Sequence, residues 1–267
     1  MPGPANMTDP ALVAAQYATS DNLNLRRSLH ERYSTNPLGY HRWMFRQYPF
    51  RAGLRVLEVG SGAGDLWKDY AADDALRGLG MEITLTDLSA GMVEHLRAHM
   101  PAEFRVQQAD VLALPFADGA FDLVIANAML YHVADVDRAL AEIARVLSPG
   151  GTFCCGTFGE GGMQKFLYDA LDALGIPCEK AGHASFTLQN GGAQLQRHFP
   201  QVERRDYEDA LAIDRVEDYL DYVYSMASME GLDPARYGEL HRHFTGLMTG
   251  GVLRIPKEYG MFVCRAE

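Results

Sequence analysis

The chain has 267 residues, 48% of them hydrophobic and 22% charged, a composition typical of one folded α/β domain with room for extra segments. A formal net charge of −11, with no basic cluster beyond short arginine pairs, argues against nucleic acid as a partner. Apolar runs of strand length predict no membrane span, and the N-terminal residues predict no secretion signal. Four cysteines without metal-ligand spacing favour reduced core thiols, no metal site and a cytoplasmic location.

Residues 1–53 predict a helical, aromatic-rich N-terminal cap, with helices over 11–17, 21–33 and 38–48. From 54 to 158, strands alternate with helices, which predicts a Rossmann-like α/β domain with a mostly parallel sheet. Its predicted strands are Arg55–Val59, Glu82–Thr86, Phe104–Gln108, Phe121–Asn127 and Thr152–Phe158. Its predicted helices are Asp65–Leu79, Ser89–Met100 and Asp135–Leu147, the last ended by a Ser-Pro-Gly-Gly turn at 148–151.

Residues 159–267 predict the remainder of the sheet with a helical cap inserted at about 213–250. The predicted helices are Met163–Leu174, Leu188–His198, Val216–Met229 and Pro234–Leu247. The predicted strands are Val202–Ala212 and Glu258–Cys264.

The strongest motif is the glycine-rich turn in VLEVGSGAGDL, residues 56–66, between a predicted strand and a predicted helix. Glycines allow positive φ and let a ligand approach the main chain closely. The unpaired N–H groups of a following helix would favour a carboxylate or phosphate there. The pattern is G-x-G-x-G, and Asp65 stands where a dinucleotide-binding loop would have its last glycine, so NAD is disfavoured.

Two carboxylates follow the next two predicted strands. Asp87 comes 27 residues after Gly60, at a position suited to accepting both hydroxyls of a ribose; the alternative is a helix N-cap before Ser89. Asp110 follows the third strand and is equally interpretable as an acceptor for an adenine amine or as a turn residue. The fourth strand ends at Asn127, where ligands of such sheets bind.

These pieces, together with the turn at 148–151, resemble the class I S-adenosylmethionine (SAM)-dependent methyltransferases over residues 54–158. The resemblance is closest to the small-molecule group that includes the ubiquinone and menaquinone C-methyltransferases. It implies a seven-stranded sheet with an antiparallel last strand and SAM as cofactor. It also implies a set of cofactor-binding positions, which are Glu58, Gly60, Ser61, Gly62, Gly64, Asp87, Leu88, Asp110, Val111 and Asn127.

Methyl transfer from a sulfonium depends mainly on alignment and desolvation, with a base needed for some acceptors. His132 is the candidate base, and capping the next helix or packing under it is an equally weighted alternative. Some aromatic side chains are candidates for a lid over the sulfonium and the acceptor, although ordinary packing is favoured for most of them. These candidates are Tyr17, Tyr33, Tyr40 and Trp43, with Tyr131 beside the candidate base.

The sequence thus predicts a SAM-dependent methyltransferase for a small-molecule metabolite, acting as a monomer or homodimer. The same cofactor could also support attack at another carbon beside the sulfonium, giving cyclisation or aminocarboxypropyl transfer with methylthioadenosine as product. An NAD-dependent enzyme and a non-catalytic SAM-binding module are further alternatives, because a fold alone does not decide chemistry.

Overall fold

The computed structural model describes residues 28–68, 70, 73–178, 184–225 and 232–267. A seven-stranded sheet organises them, in the order β3-β2-β1-β4-β5-β7-β6 with β7 antiparallel, as the resemblance implied. Its strands are β1 (Arg55–Val59), β2 (Glu82–Asp87), β3 (Arg105–Gln108), β4 (Phe121–Asn127), β5 (Leu147–Phe158), β6 (Gln201–Ile213) and β7 (Leu253–Arg265).

The predicted alternation of strands and helices is confirmed between β1 and β5. The helices are α1 (Tyr40–Phe45), α2 (Asp74–Arg77), α3 (Ala90–His99), α4 (Val136–Val146), α5 (Met163–Ala173), α6 (Gly191–Leu195), α7 (Val216–Tyr224) and α8 (Tyr237–Leu247). Side-chain caps set the starts of α3 and α4: Ser89 accepts from the N–H of Met92, and Asp135 accepts from the N–H of Arg138. Within the described ranges, no helix is both long and apolar enough to cross a bilayer.

The continuous helix expected over Asp65–Leu79 is wrong. A 3₁₀ turn, Asp65–Trp67, follows Gly64, which is left-handed and offers no capping side chain; Lys68 and Tyr70 are helical, and the chain is extended at Asp73. The separate helix α2 starts after Asp73, whose carboxylate accepts from the N–H groups of Ala75 and Leu76. Residues 69, 71 and 72 lie outside the described part of the chain.

The Ser-Pro-Gly-Gly segment at 148–151 does not form a turn separate from the strand. It is the irregular start of β5, where the register against β4 shifts between Phe121 and Leu123. Gly150 has φ 70, which a glycine adopts without strain. A bulge therefore replaces the expected turn, because α4 ends at Val146 directly before the strand.

Other boundaries differ at their ends. The expected helix Leu188–His198 is only α6, and Leu38–Tyr48 is only α1. Strands β6 and β7 run longer than expected, since cross-strand pairing continues past the apolar residues that defined them. The expected helix 11–17 and residues 226–229 of Val216–Met229 lie outside the described residues.

The described residues form two compact units. The core unit comprises 40–158, 185–207 and 260–267, and the helical unit comprises the described parts of 1–39, 159–184 and 208–259. In the core unit, apolar side chains pack on both faces of the sheet; Cys154 and Cys155 lie in different clusters, as expected for neighbours on one strand. In the helical unit, α5, α7 and α8 bury their apolar faces together, with Tyr219 and Phe244 fully buried.

Candidate active site

The carboxyl ends of four adjacent strands meet at one edge of the core unit's sheet. Val59 of β1 pairs with Thr86 of β2, and Asp87 pairs with Gln108 of β3. On the other side, Glu58 of β1 pairs with Ile125 of β4. The strand order reverses here, because β2 and β4 flank β1. Such a switch point, at the carboxyl edge, is where open α/β sheets bind their ligands.

One face of this edge carries three of the predicted residues. Side chains alternate along a strand, so a residue two positions beyond another lies on the same face. Glu58 is level with Leu85 and Ile125, and Asp87 and Asn127 stand two positions farther along those strands. The tertiary structure therefore brings Glu58, Asp87 and Asn127 together, although 69 positions separate the first from the last.

The glycine loop crosses this edge with three residues in the left-handed region. Gly60 has φ 66, and a Cβ there would lie 2.9 Å from Met129 Cβ. Gly64 has φ 78, and a Cβ there would lie 2.8 Å from Met100 Sδ. Gly62 has φ 54 and would meet no atom within 4 Å. The loop is thus fixed at both ends by packing and has open space at its middle residue, where a ligand has room to approach the backbone.

Asp87 anchors the glycine loop to β2. Its Oδ2 accepts from the N–H of Gly62 at 2.9 Å, and its Oδ1 accepts from the N–H of Ser89 at 2.9 Å. The N-cap of α3 is Ser89 itself, so the capping interpretation of Asp87 does not hold. Each carboxylate oxygen keeps further acceptor capacity beyond these bonds.

Leu88, directly after Asp87, is one of two described large hydrophobic side chains that are exposed, at 56%. Its carbonyl accepts from the side-chain amide of Gln108 at 2.7 Å, which fixes the backbone against β3. Val111 is buried, at 8% exposure. Asp110 is exposed, and its Oδ1 accepts from the N–H of Leu112 at 2.9 Å, so it forms the turn interaction while its other oxygen remains available. An exposed apolar side chain beside a fixed carboxylate is suited to an aromatic ring bearing an amine.

Glu58 is a buried carboxylate, 3% exposed, under the glycine loop. Its Oε2 accepts from the indole N–H of Trp67 at 2.8 Å. Burial raises the pKa of Glu58 to about 7, opposed by the hydrogen bonds from Trp67 and Ser61 and reinforced by the negative charge of Asp87. The carboxyl group is therefore balanced between its neutral and ionised forms near neutral pH.

Asn127 closes the edge at β4. Its side-chain amide donates to Tyr48 Oη at 2.7 Å, and its Oδ1 accepts from the N–H of Gly156 at 3.2 Å. The next residue, Ala128, has φ 50 and is the one described non-glycine residue with positive φ. Such a backbone costs on the order of 1 kcal/mol and is found preferentially at functional sites. Neither Tyr48 nor Ala128 carried a signal in the sequence that would have identified it.

His132 and Tyr131 lie in the 3₁₀ turn Leu130–His132, immediately beyond Asn127. Both are half-buried, and their ring centroids lie 4.4 Å apart. The N-cap of α4 is Asp135, so His132 does not cap that helix. His132 is thus held at the carboxyl edge, where a general base would be needed.

The aromatic lid candidates have different surroundings. Tyr40 donates its hydroxyl hydrogen to the carbonyl of Gly260 at 2.5 Å and stacks on Trp43, both within the core unit. These are the contacts of packing residues. Tyr33, in the helical unit, is buried and donates to Asp218 Oδ2 at 2.6 Å. Tyr17 lies outside the described residues.

Comparison with known proteins gives a family for the central part of the chain. Residues 57–155 match the model of a family described as a methyltransferase domain. The chain is 37% identical over 121 residues to a demethylmenaquinone methyltransferase of Symbiobacterium thermophilum, covering 43% of this chain and 47% of that protein. It is 38% identical over 161 residues to a malonyl-[acyl-carrier protein] O-methyltransferase of Geobacter sulfurreducens, covering 58% of this chain and 59% of that protein.

Solved structures share the fold. The [4+2]-cyclase SpnF superposes with a TM-score of 0.57 at 18% identity, covering 100% of this chain and 98% of that one. The chain spans about half the length of the curated relatives it matches. Residues 57–155 contain the glycine loop, both strand-end aspartates and the end of β4. Residues 57–155 therefore match a methyltransferase domain, in line with the resemblance seen in the sequence.

Proposed function

We propose that this protein is a SAM-dependent methyltransferase that acts on a small-molecule acceptor. The observation that carries the proposal is the convergence of the glycine loop, Asp87, exposed Leu88 and Asn127 at one switch point of the sheet. The family match over residues 57–155 supports the same activity. Bound SAM would supply a methyl group made electrophilic by a positively charged sulfur.

In this proposal the β2 and β3 ends hold the adenosine. Asp87 already accepts one backbone N–H on each oxygen, and its remaining lone pairs suit the two hydroxyls of a ribose. Leu88 and Val111 supply apolar surface for the adenine faces, and burying Leu88 would remove the exposed hydrophobic surface at this edge. Asp110 Oδ2 accepts a hydrogen bond from the exocyclic amine of the adenine.

The β1 and β4 ends hold the methionine portion. Backbone of Gly60, Ser61, Gly62 and Gly64 passes beneath it, and open space at Gly62 permits the close approach. Glu58 offers a carboxylate toward the ammonium group, and the backbone at Asn127 accepts from it. Rigid positioning by Tyr48 and Gly156 keeps Asn127 in place, which serves the alignment on which methyl transfer depends.

His132 is the proposed base for acceptors whose nucleophile must lose a proton. We expect His132→Ala to slow formation of S-adenosylhomocysteine from such acceptors by about 10²–10⁴-fold, while SAM affinity stays unchanged. Tyr131→Phe, which keeps the neighbouring ring, is the matched control. An equal loss in both variants would show that the effect is not specific to the imidazole of His132.

Thermal-shift measurements with SAM, S-adenosylhomocysteine and NAD test the proposal directly. A ligand at 100 times its Kd stabilises the native state by about 2.7 kcal/mol, so SAM and S-adenosylhomocysteine should raise Tm and NAD should not. Asp87→Ala should remove most of that rise, and Glu94→Ala, an exposed acid on α3, should keep it. Absence of any shift with both sulfur compounds would refute the proposal.

Attack at another carbon of SAM is the alternative that keeps this site. The shared fold of a [4+2]-cyclase illustrates that fold alone does not select the reaction. The product separates the two: S-adenosylhomocysteine indicates methyl transfer, and methylthioadenosine indicates cyclisation or aminocarboxypropyl transfer.

A further inference from the structure

The indole of Trp67 is held rigidly against the glycine loop. It is 0% exposed, and its ring makes edge-on or tilted contacts within 6.3 Å with four other aromatic rings of the core unit. These are Phe45, Phe50, Tyr70 and Phe104. An indole N–H can only donate, and packing on every side prevents the ring from turning it elsewhere.

That donor is directed at one atom, Oε2 of Glu58, at 2.8 Å. Trp67 lies in the 3₁₀ turn Asp65–Trp67, whose N-cap is the last loop glycine, Gly64. The turn is stabilised because the N–H of Trp67 donates to the carbonyl of Gly64 at 3.0 Å. Trp67, which follows the glycine loop, is therefore hydrogen-bonded back to Glu58, nine residues earlier on the strand that precedes the loop.

Glu58 depends on such a donor. Burial of a carboxylate opposes its ionised form, and the negative charge of Asp87 adds to that effect. The charge of Glu58 also makes a small contribution to the pKa of the buried Tyr48 phenol, which burial raises. The hydrogen bond from Trp67 is the largest contribution that favours the ionised carboxylate, and it lowers the pKa of Glu58 against the effect of burial.

We propose that Trp67 is a positioning residue of the cofactor site, whose indole N–H fixes the Glu58 carboxylate in the orientation in which it receives a cationic ammonium group. This inference rests on the proposed function for the identity of the cation. Trp67 does not touch the cofactor; it acts through Glu58. The affinity for the cofactor therefore depends on the buried side chain of Trp67 as well as on the glycine loop.

Fluorescence tests the coupling without any ligand. The chain has two tryptophans, so Trp43→Phe leaves Trp67 as the only one. Ionisation of a carboxyl group 2.8 Å from the indole nitrogen should change the Trp67 emission, with a midpoint near pH 7. The change should vanish in Trp43→Phe/Glu58→Gln. A flat titration, or one that survives Glu58→Gln, would overturn the proposal.

Calorimetric titration with SAM tests the effect on binding. Trp67→Phe keeps the ring but removes the donor, and we expect the Kd for SAM to rise at least tenfold at pH 7, as for loss of a hydrogen bond to a charged group. The pH at which half of the maximal affinity for SAM is reached should also rise, because loss of this donor raises the pKa of Glu58.

Phe104→Leu is the matched control, because it removes a ring that contacts Trp67 at 5.7 Å and leaves the bond to Glu58 intact. It should change the Kd by less than about twofold. Equal weakening in both variants would reduce Trp67 to a packing residue and overturn the inference. If the unaltered protein did not bind SAM at all, the proposed function would fall, while the fluorescence titration would still decide the coupling of Trp67 to Glu58.

Discussion

Replacing Glu58 by Gln should stabilise the protein increasingly as pH rises. The pKa of Glu58 is raised from 4.5 to about 7 by burial, so between these values the native state holds a proton that the unfolded chain releases. The native protein therefore loses stability as pH increases through this window, and the loss is complete above pH 7. At about 1.36 kcal/mol per pH unit the full effect is about 3 kcal/mol. Because Glu58 is 3% exposed, solvent screening does not reduce it much.

Gln matches Glu in shape, and its amide oxygen can still accept from Trp67. Urea denaturation at pH 5, 6, 7 and 8 should show the free energy of unfolding of Glu58→Gln rising relative to the unaltered protein by about 2.5 kcal/mol over this range. Glu94→Gln, on the exposed surface of α3, is the control and should show a constant difference. A difference for Glu58→Gln that does not vary with pH would refute the reasoning.

Three further changes test the packing and the buried charges. Gly156→Ala should destabilise the protein by about 1–3 kcal/mol, because the added Cβ would lie 2.5 Å from a Met sulfur. Gly91→Ala, whose Cβ would have no atom nearer than 3.8 Å, should be neutral or stabilising. Calorimetry measures both changes, and equal effects would contradict this account of the packing. Lys257→Met should cost about 3–5 kcal/mol in urea denaturation, because Lys257 (4% exposed) and Asp209 (0%) form a buried ion pair, and adding Asp209→Asn should recover part of the loss. No recovery would show that the pair's charge is not the cause. Burial, with a smaller effect of the Lys257 cation, lowers the pKa of His30 from 6.5 to about 4. Between these pH values the unfolded chain binds a proton at His30 and the native state does not. Native stability should fall as pH drops from 6.5 toward 4, and His30→Gln should lessen the decrease in Tm; an unchanged pH dependence would rule out this source.

Much of the site was predictable because its parts are local in sequence. The glycine loop and the strand end at Asp87 each depend on a few neighbouring residues, and strands β1 and β4 have the predicted limits. The amphipathic spacing of Val136, Leu140 and Ile143 likewise identified α4. Alternation of strands and helices then required the strand ends to share one edge.

The break at Asp73 in the expected helix Asp65–Leu79 was not predictable in this way. The expected helix also opens as a 3₁₀ turn, after the left-handed backbone of Gly64, which packs against Leu96 of α3 and against Met100. Similarly, the bulge at Gly150 arises because β5 must stay in register with β4 on both sides of residue 122. Neither partner is near in sequence, so local propensity gives no sign of either feature.

By itself the sequence determined the strands, the loop and the residue types of the candidate site, because periodicity and backbone propensity act over a few residues. Only the tertiary structure decided that Trp67 donates to Glu58, that Tyr48 orients Asn127 and that Asp209 neutralises Lys257. Each of these pairs joins elements that meet only after folding. A buried charge or polar group must find its partner wherever the chain brings one within hydrogen-bonding distance, and the sequence does not record that distance.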